Sequence, residues 1–481
     1  MPPVFFELSV LALGILILLL ETFAEKQDRK VFAYIGIAGL AIVFLFLEGT
    51  TPAASGMVSY VSDAAAIVFK KIAVLTTILV LIMSIDYAGT IKRYLPGQSP
   101  QSGLGEFFAL PILTCAGMMW MASAVDFILI FVSLELVTIS FYVLVGYLRR
   151  NPLSLEAGVK YLILSSFSTG FTVYGITWIY GVTRQTNLGQ IEHVLPSIPV
   201  GNQSGVLFGA LLVVIGLGFK IAAAPFQFWV PDVYQGAPTP ITAFLSVGSK
   251  SVGFIVLLRV VQAFQSLPAV GDKLITAIIL LAAATLLYGN LAALPQTNLK
   301  RLLAYSSIGH AGYLLIAVAG IGARDSGQAV VVYLAAYLLM TLLSFLIMIN
   351  VSAHADGDDI SHFNGLGKRS PFLAFGLLVA MMSLAGVPLT AGFLGKFLVF
   401  KVAFETGQFF LIALGILTVG CGFYFYLKVV RAMYWQPAQG GAAAIPVSRL
   451  SFVAIWAMVI LIFLLGICPQ FALGLMPGAV N

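Results

Sequence analysis

The stretch Gly216-Leu-Gly-Phe-Lys220-Ile-Ala-Ala-Ala-Pro225 lies inside an apolar run reaching from residue 205 to residue 234. That run is longer than the roughly 20 residues a helix needs to cross a bilayer. Pro225 removes a backbone hydrogen bond and clashes with the preceding turn, so a broken helix is predicted here, with a lysine just before the break. A second over-long run, 370–403, repeats the features in Leu384-Ala-Gly-Val-Pro388-Leu-Thr-Ala-Gly392-Phe-Leu-Gly-Lys396. Irregular backbone at membrane depth is tolerated only inside protein or beside a water-filled cavity. The two breaks therefore mark the interior of a helical membrane bundle.

Working outward, apolar stretches bounded by Gly, Pro and charged clusters give spans near 4–22, 31–48, 64–86, 107–124, 127–147 and 157–180 before the first broken run. After it come 240–263, 273–293, 299–320 and 327–351, then the second broken run, 408–434 and 450–472. This is an all-α bundle of about fourteen transmembrane helices. The first apolar run has no basic region before it and no cleavage site after it, and is expected to be a retained span. Alternate loops carry the basic residues: Lys26, Arg29 and Lys30; Lys92 and Arg93; Arg149, Arg150 and Lys160; Lys300 and Arg301; Lys368 and Arg369; Lys428, Arg431 and Arg449. The other side holds only Arg184, Lys273 and Arg324, which places both termini outside the cytoplasm. Lys70, Lys71, Arg259 and Lys401 lie near helix ends and are expected to snorkel.

The broken spans, 7 and 12, are an odd number of crossings apart. Two five-helix units of opposite topology are therefore expected, 107–264 (spans 4–8) and 273–434 (spans 9–13). They are flanked by a three-helix segment, 1–106, and a last helix, 450–472. Paired interrupted helices in inverted repeats point to an ion path.

Composition agrees. Of 481 residues, 60% are hydrophobic and only 9% charged, against the roughly 25% usual in soluble domains. The net charge of +6 is spread over short loops, which fits membrane topology rather than nucleic-acid binding. Cys115, Cys421 and Cys468 have neither metal-site nor disulfide spacing and read as small core residues.

Lys220, Lys250 and Lys396 lie too deep to snorkel, and Glu135 is the one carboxylate read as deep in a span. Each such charge costs at least about 2.5–3.5 kcal/mol to insert and normally marks an ion or proton path. The alternative is that they pair with one another as structural glue. Glu135 shares a helical face with Thr138 and Tyr142, and Lys250 with Ser246 and Gly253. Gly216 and Gly392 stand one turn before a lysine, leaving space for water or a close neighbour. Burial and a nearby carboxylate push a lysine's proton affinity in opposite directions, so a lysine whose partner moves can exchange protons. Glu135 is expected to be that partner for Lys220. In span 10, Ser306, His310 and Tyr313 form one polar stripe, and His310 is a candidate relay because histidine titrates nearest physiological pH. His193, His354 and His362 are expected in solvated loops. No nucleotide-binding glycine motif, P-loop, cysteine cluster or deep histidine pair is present, so no redox cofactor is expected in this chain.

The segments Gly218 to Pro240, Asn298 to Tyr313 and Pro388 to Phe397 resemble the antiporter-like family shared by respiratory complex I and the multi-subunit sodium/proton antiporters. The resemblance extends over spans 4–13. It implies a Glu–Lys pair in spans 5 and 7, matched by Glu135 and Lys220, and functional residues in spans 8 and 12 matched by Lys250 and Lys396. M-type chains of the family carry Glu at the span 12 position, and L-type chains are longer and end in a lateral helix. Lys396 and the length of the chain therefore resemble the N-type branch of bacterial-type NADH:quinone oxidoreductase, and the full set of spans a bacterial or plastid form. The resemblance implies a multi-pass protein of the cell inner membrane that carries protons. Its partners would be the lipid bilayer and other membrane subunits, the M-type among them. FMN, iron–sulfur clusters and quinone would belong to partner subunits. Two other readings are a subunit of a cation/proton antiporter and a substrate transporter, the latter requiring a roomy polar pocket at the breaks.

Overall fold

The computed structural model describes residues 4–23, 29–50, 59–94, 104–355, 357–438 and 444–474. Lys26, one of the basic loop residues, lies outside the described residues. Among the described residues, thirteen helices are long and apolar enough to cross a membrane. They are span 1 (Phe5–Phe23), span 2 (Lys30–Glu48), span 3 (Ala64–Tyr94), span 4 (Leu104–Ser123), span 5 (Phe127–Val145), span 6 (Pro152–Thr183) and the first part of span 7 (Val200–Ile221). Span 8 (Thr239–Phe264), span 9 (Pro268–Ala293), span 10 (Leu299–Ala319), span 11 (Ser326–Ala355), span 13 (Phe409–Trp435) and span 14 (Arg449–Ile467) complete them. Span 12 is the remaining crossing, split into Pro371–Ala385 and Ala391–Glu405.

Helix starts follow the local sequence. Asp126 caps span 5 by accepting from Ile128 N, Asn151 and then Pro152 open span 6, and Asn298 accepts from Arg301 N at the head of span 10. Some bounds differ from those expected. Span 4 begins at Leu104 rather than 107. Span 9 begins at Pro268 rather than 273, because proline is favoured at a first helical position. Span 14 ends at Ile467, and Pro469 starts a separate short turn ending at Leu473.

Both breaks form where the proline-containing segments place them. The first part of span 7 ends on Ala222 (φ 63°), whose N–H donates to Gly218 O and Phe219 O, and the chain resumes as Trp229–Gly236. Gly386 (φ 88°) ends the first part of span 12 in the same way, donating to Met382 O and Ser383 O. Each is a left-handed helix cap, a conformation that favours glycine.

A second feature occurs once in each half. Phe127 N donates to Thr186 O and Leu188 N to Val125 O, joining the head of span 5 to the chain after span 6. Leu299 N donates to Asp358 O and Ile360 N to Thr297 O, joining the head of span 10 to the chain after span 11. All four residues of the second bridge follow those of the first at one constant offset along the chain. At that offset Ser307 corresponds to Glu135, and His310 to Thr138.

Burial sorts the helices. Spans 8, 10 and 11 are almost wholly enclosed and span 3 nearly so, while only a third or fewer of the residues of spans 1, 2, 6, 13 and 14 are buried. Lys70 does not reach the interface as expected. The loop before span 3 folds over that helix end, held by Val61 N donating to Ser123 O, and Lys70 pairs with Glu7 at 2.7 Å and donates to the Tyr60 hydroxyl. Glu7, in the first turn of span 1, is fully buried. Arg259, mostly buried, pairs with Asp63. Lys71 and Lys401 keep partial exposure, the latter bonded to Asp325. Cys115 lies in the core, but Cys468 is exposed at the end of span 14. His193 and His354 are exposed, though on helix ends rather than in loops.

Candidate functional site

The left-handed cap at Ala222 ends the first part of span 7 just beyond Lys220 and leaves that side chain pointing at spans 5 and 6. Lys220 Nζ donates to Thr138 Oγ1 at 2.5 Å and to Ser165 Oγ at 3.1 Å, with the Tyr161 ring 5.8 Å away. Glu135, half-buried one turn before Thr138, accepts instead from Thr169 Oγ1 at 2.8 Å. The two expected partners are thus joined through the face of span 5 and not by an ion pair. Gly216 leaves no space for water: a Cβ there would overlap Thr172 Oγ1, so the glycine admits span 6.

Lys250 comes directly after a single π-helical turn, Leu245–Ser249, inside span 8. Such turns insert one residue and re-aim the side chains beyond them, frequently at functional sites. Its ammonium donates to Ser307 O (2.6 Å) and Ser307 Oγ (2.5 Å) on span 10 and lies 5.7 Å from the Tyr337 ring. Ser307 Oγ also shares a hydrogen bond with Tyr234 on the second part of span 7. Gly253 lets span 8 approach Ile221 beside Lys220.

The polar stripe of span 10 is satisfied by spans 11 and 13. His310 Nδ1 is 2.8 Å from the Tyr333 hydroxyl, and Nε2 is 3.1 Å from Tyr426, which also bonds Ser306. Tyr313 donates to Gly415 O and bonds Thr418. Lys396 lies over the Tyr313 ring at 5.1 Å and reaches back across the break to donate to Leu384 O (3.0 Å) and Ala385 O (2.9 Å). Gly392 packs directly on Ser383, whose hydroxyl accepts from Gly392 N.

The result is one buried polar axis in the order Lys220, Lys250, His310, Lys396. Between the first two, aromatic contacts run Tyr161–Trp229–Tyr234; between Lys250 and His310 stands Tyr337. All three lysines are at most 6% exposed, and none of the ion pairs among the described residues involves them. Their partners are neutral oxygens and rings. No group of three or more His, Cys, Asp or Glu suited to a metal ion occurs among the described residues. Sequence reasoning missed Ser165, Tyr234, Ser307, Tyr333, Tyr337 and Tyr426. Isolated hydroxyls in apolar helices are ordinary, and only the constant offset that sets Ser307 against Glu135 would have singled one out.

Residues 124–422 match the family model described as "NADH:quinone oxidoreductase/Mrp antiporter, TM". The chain belongs to this family. Within it, the chain is 38% identical over 447 residues to NADH-quinone oxidoreductase subunit N 2 of Chloroherpeton thalassium, covering 91% of this chain and 86% of that one. A chain of respiratory complex I from Thermus thermophilus with bound aureothin superposes with a TM-score of 0.82 at 32% identity, covering 98% of this chain and all of that one. A chain of the Mrp complex of Dietzia sp. shares the fold, with a TM-score of 0.78 at 18% identity over 98% of this chain. The family match runs from the head of span 5 into span 13, covering both broken spans, and leaves spans 1–4, with the Glu7–Lys70 pair, and span 14 outside it.

Proposed function

We propose that this chain is the N-type, proton-translocating membrane subunit of an NADH:quinone oxidoreductase. Lys220, Lys250, His310 and Lys396 carry protons along the buried axis, and Glu135 sets the charge seen by Lys220. The observation that carries this reading is that three lysines lie buried without a carboxylate on any of them. Structural glue would require ion pairs, because an uncompensated buried charge destabilises a fold. A lysine held by hydroxyls can pass between ammonium and amine with its neighbours still satisfied, since a hydroxyl both donates and accepts. Each charge moved against the membrane potential needs about 2.3 kcal/mol per 100 mV. The chain's own residues store charge and order its transfer. The driving reaction belongs to partner subunits, where we place the FMN, iron–sulfur clusters and quinone site, and the M-type subunit is the expected neighbour.

The extensive identity with an oxidoreductase subunit N favours this over a cation/proton antiporter. The test is Lys220→Ala in the assembled complex. Quinone-coupled proton pumping should fall by about 10²-fold, the loss typical of a removed proton-transfer group, with native subunit content. Normal pumping by that assembled variant would remove Lys220 from the path.

A further inference from the structure

A cavity of about 400 Å³ opens between spans 3, 8, 10 and 11. It is lined by Arg93, Thr239, Lys300, Ile349, Ser352 and Asp358 among others. Arg93 and Lys300 belong to the lysine- and arginine-rich loops, so the cavity faces the cytoplasm. Lys300 is buried in its wall. Its side chain is 5% exposed, its Nζ lies 3.2 Å from Asp358 Oδ2, and it donates to Ala237 O at 3.4 Å. Asp358 is fixed in turn by Ser352 Oγ, which donates to Oδ1 at 2.7 Å. Burial pushes the Asp358 carboxyl up, but Lys300 and the Ser352 hydroxyl more than offset this and leave it below the ordinary carboxylate value. One ammonium group thus ties span 10, the end of span 11 and the start of span 8 together.

Behind this pair lies Lys250. Lys300 and Ser307, the residue that holds Lys250, stand two turns apart on one face of span 10. From the cavity wall at Thr239 the polar groups continue inward through Thr242, which donates to Tyr234 O, to the Tyr234 hydroxyl and Ser307. The ion pair is not required by the bridge beside it. The matching bridge at the head of span 5 forms with Ile128 and Thr186 at the corresponding positions, and these cannot form an ion pair.

We propose that this cavity is the cytoplasmic vestibule through which Lys250 exchanges protons, and that the Lys300–Asp358 pair is its gate. The proposal rests on the proton-carrying reading above. With the pair closed, Ala237 and span 10 are drawn together over the path to Tyr234. When Lys300 leaves Asp358, the three elements are no longer held and the path is continuous with the cavity.

The test uses the complete complex in inside-out vesicles, with the native cysteines replaced and Ile349→Cys as reporter in the cavity wall. A membrane-impermeant maleimide is the probe. Asp358→Asn should be labelled about tenfold faster, since losing a partly buried ion pair shifts the closed state by at least that factor, and should pump fewer protons per electron. The exchange Lys300→Asp with Asp358→Lys should restore slow labelling. Native-rate labelling of Asp358→Asn, or an exchanged variant labelled as fast as the single one, overturns the gate. Should Asp358→Asn not assemble, the exchanged variant decides alone; failure of both to assemble would make the pair a staple and also overturn the gate. Lys220→Ala in the same vesicles separates the two ideas: if it pumps normally the proton-carrying reading falls whatever the labelling, and if it does not, unchanged labelling removes only the gate.

Discussion

The two halves share a bridge, a left-handed cap and a lysine at a broken helix, yet they hold that lysine differently. Lys220 precedes its cap and meets the hydroxyls of Thr138 and Ser165. Lys396 lies beyond its cap and reaches back to two carbonyls at the C-terminal end of the first part of span 12. A carbonyl can only accept, and a helix C-terminus attracts positive charge. A hydroxyl serves either state of the amine. Span 5 also offers a carboxylate, Glu135, where span 10 has Ser307, and span 10 offers His310 where span 5 has Thr138. The recurring features therefore surround one lysine with hydroxyls on a face that also holds a carboxylate, and the other with helix-end carbonyls beside a histidine–tyrosine cluster.

The sharpest way to break this comparison is at Lys396. Lys396→Ala leaves Leu384 O and Ala385 O without their donor and should assemble but pump about 10²-fold less. Lys396→His should retain more activity than Ala because it keeps a titratable group, and Lys396→Arg should not, because guanidinium stays charged. Equal activity of the three variants in reconstituted vesicles would show that no proton is carried at this position.

Glu135 sharpens the other side. Glu135→Gln keeps shape and removes charge, and should slow turnover roughly tenfold, the factor corresponding to about 1.4 kcal/mol of lost charge interaction. Glu135→Asp should lose less. If both variants turn over at the native rate, the span 5 carboxylate does not distinguish the halves.

The smallest effect is expected at the caps. Ala222→Gly copies the second half and should raise stability by up to about 1 kcal/mol, since only glycine adopts this conformation without cost. Gly386→Ala should lower it by about 1–2 kcal/mol, because the new Cβ meets both an unfavourable φ and the Lys396 side chain 3.0 Å away. The apparent melting temperatures of the purified complexes order the three proteins. A lower value for Ala222→Gly than for the native complex would mean that the two caps are not equivalent.

The crossings were legible because lipid imposes length and hydropathy on every span, and both breaks because proline cannot complete a helix. The deep lysines stood out for the same reason, as charges with no cheap place in a bilayer. What they touch was not legible. Lys220 faces Thr138 and Ser165 because Gly216 admits span 6, and Lys250 faces Ser307 because a π-turn rotates span 8. Neither close approach nor an inserted residue alters local hydropathy. Lys70 misled for a related reason: its position near a helix end fits snorkelling, and only the fold of the preceding loop brings Glu7 and Tyr60 onto it.

The central claim, that the buried lysines carry exchangeable protons rather than fixed charge, is tested most directly by Lys220→Arg. Protons translocated per electron pair are measured in reconstituted vesicles, with subunit content equalised by native gel. Guanidinium keeps the positive charge beside Thr138 and Ser165 and cannot release it, so electron transfer should persist in part while coupled translocation collapses. Translocation at the native ratio would show that a permanent charge suffices at this position and would contradict the account.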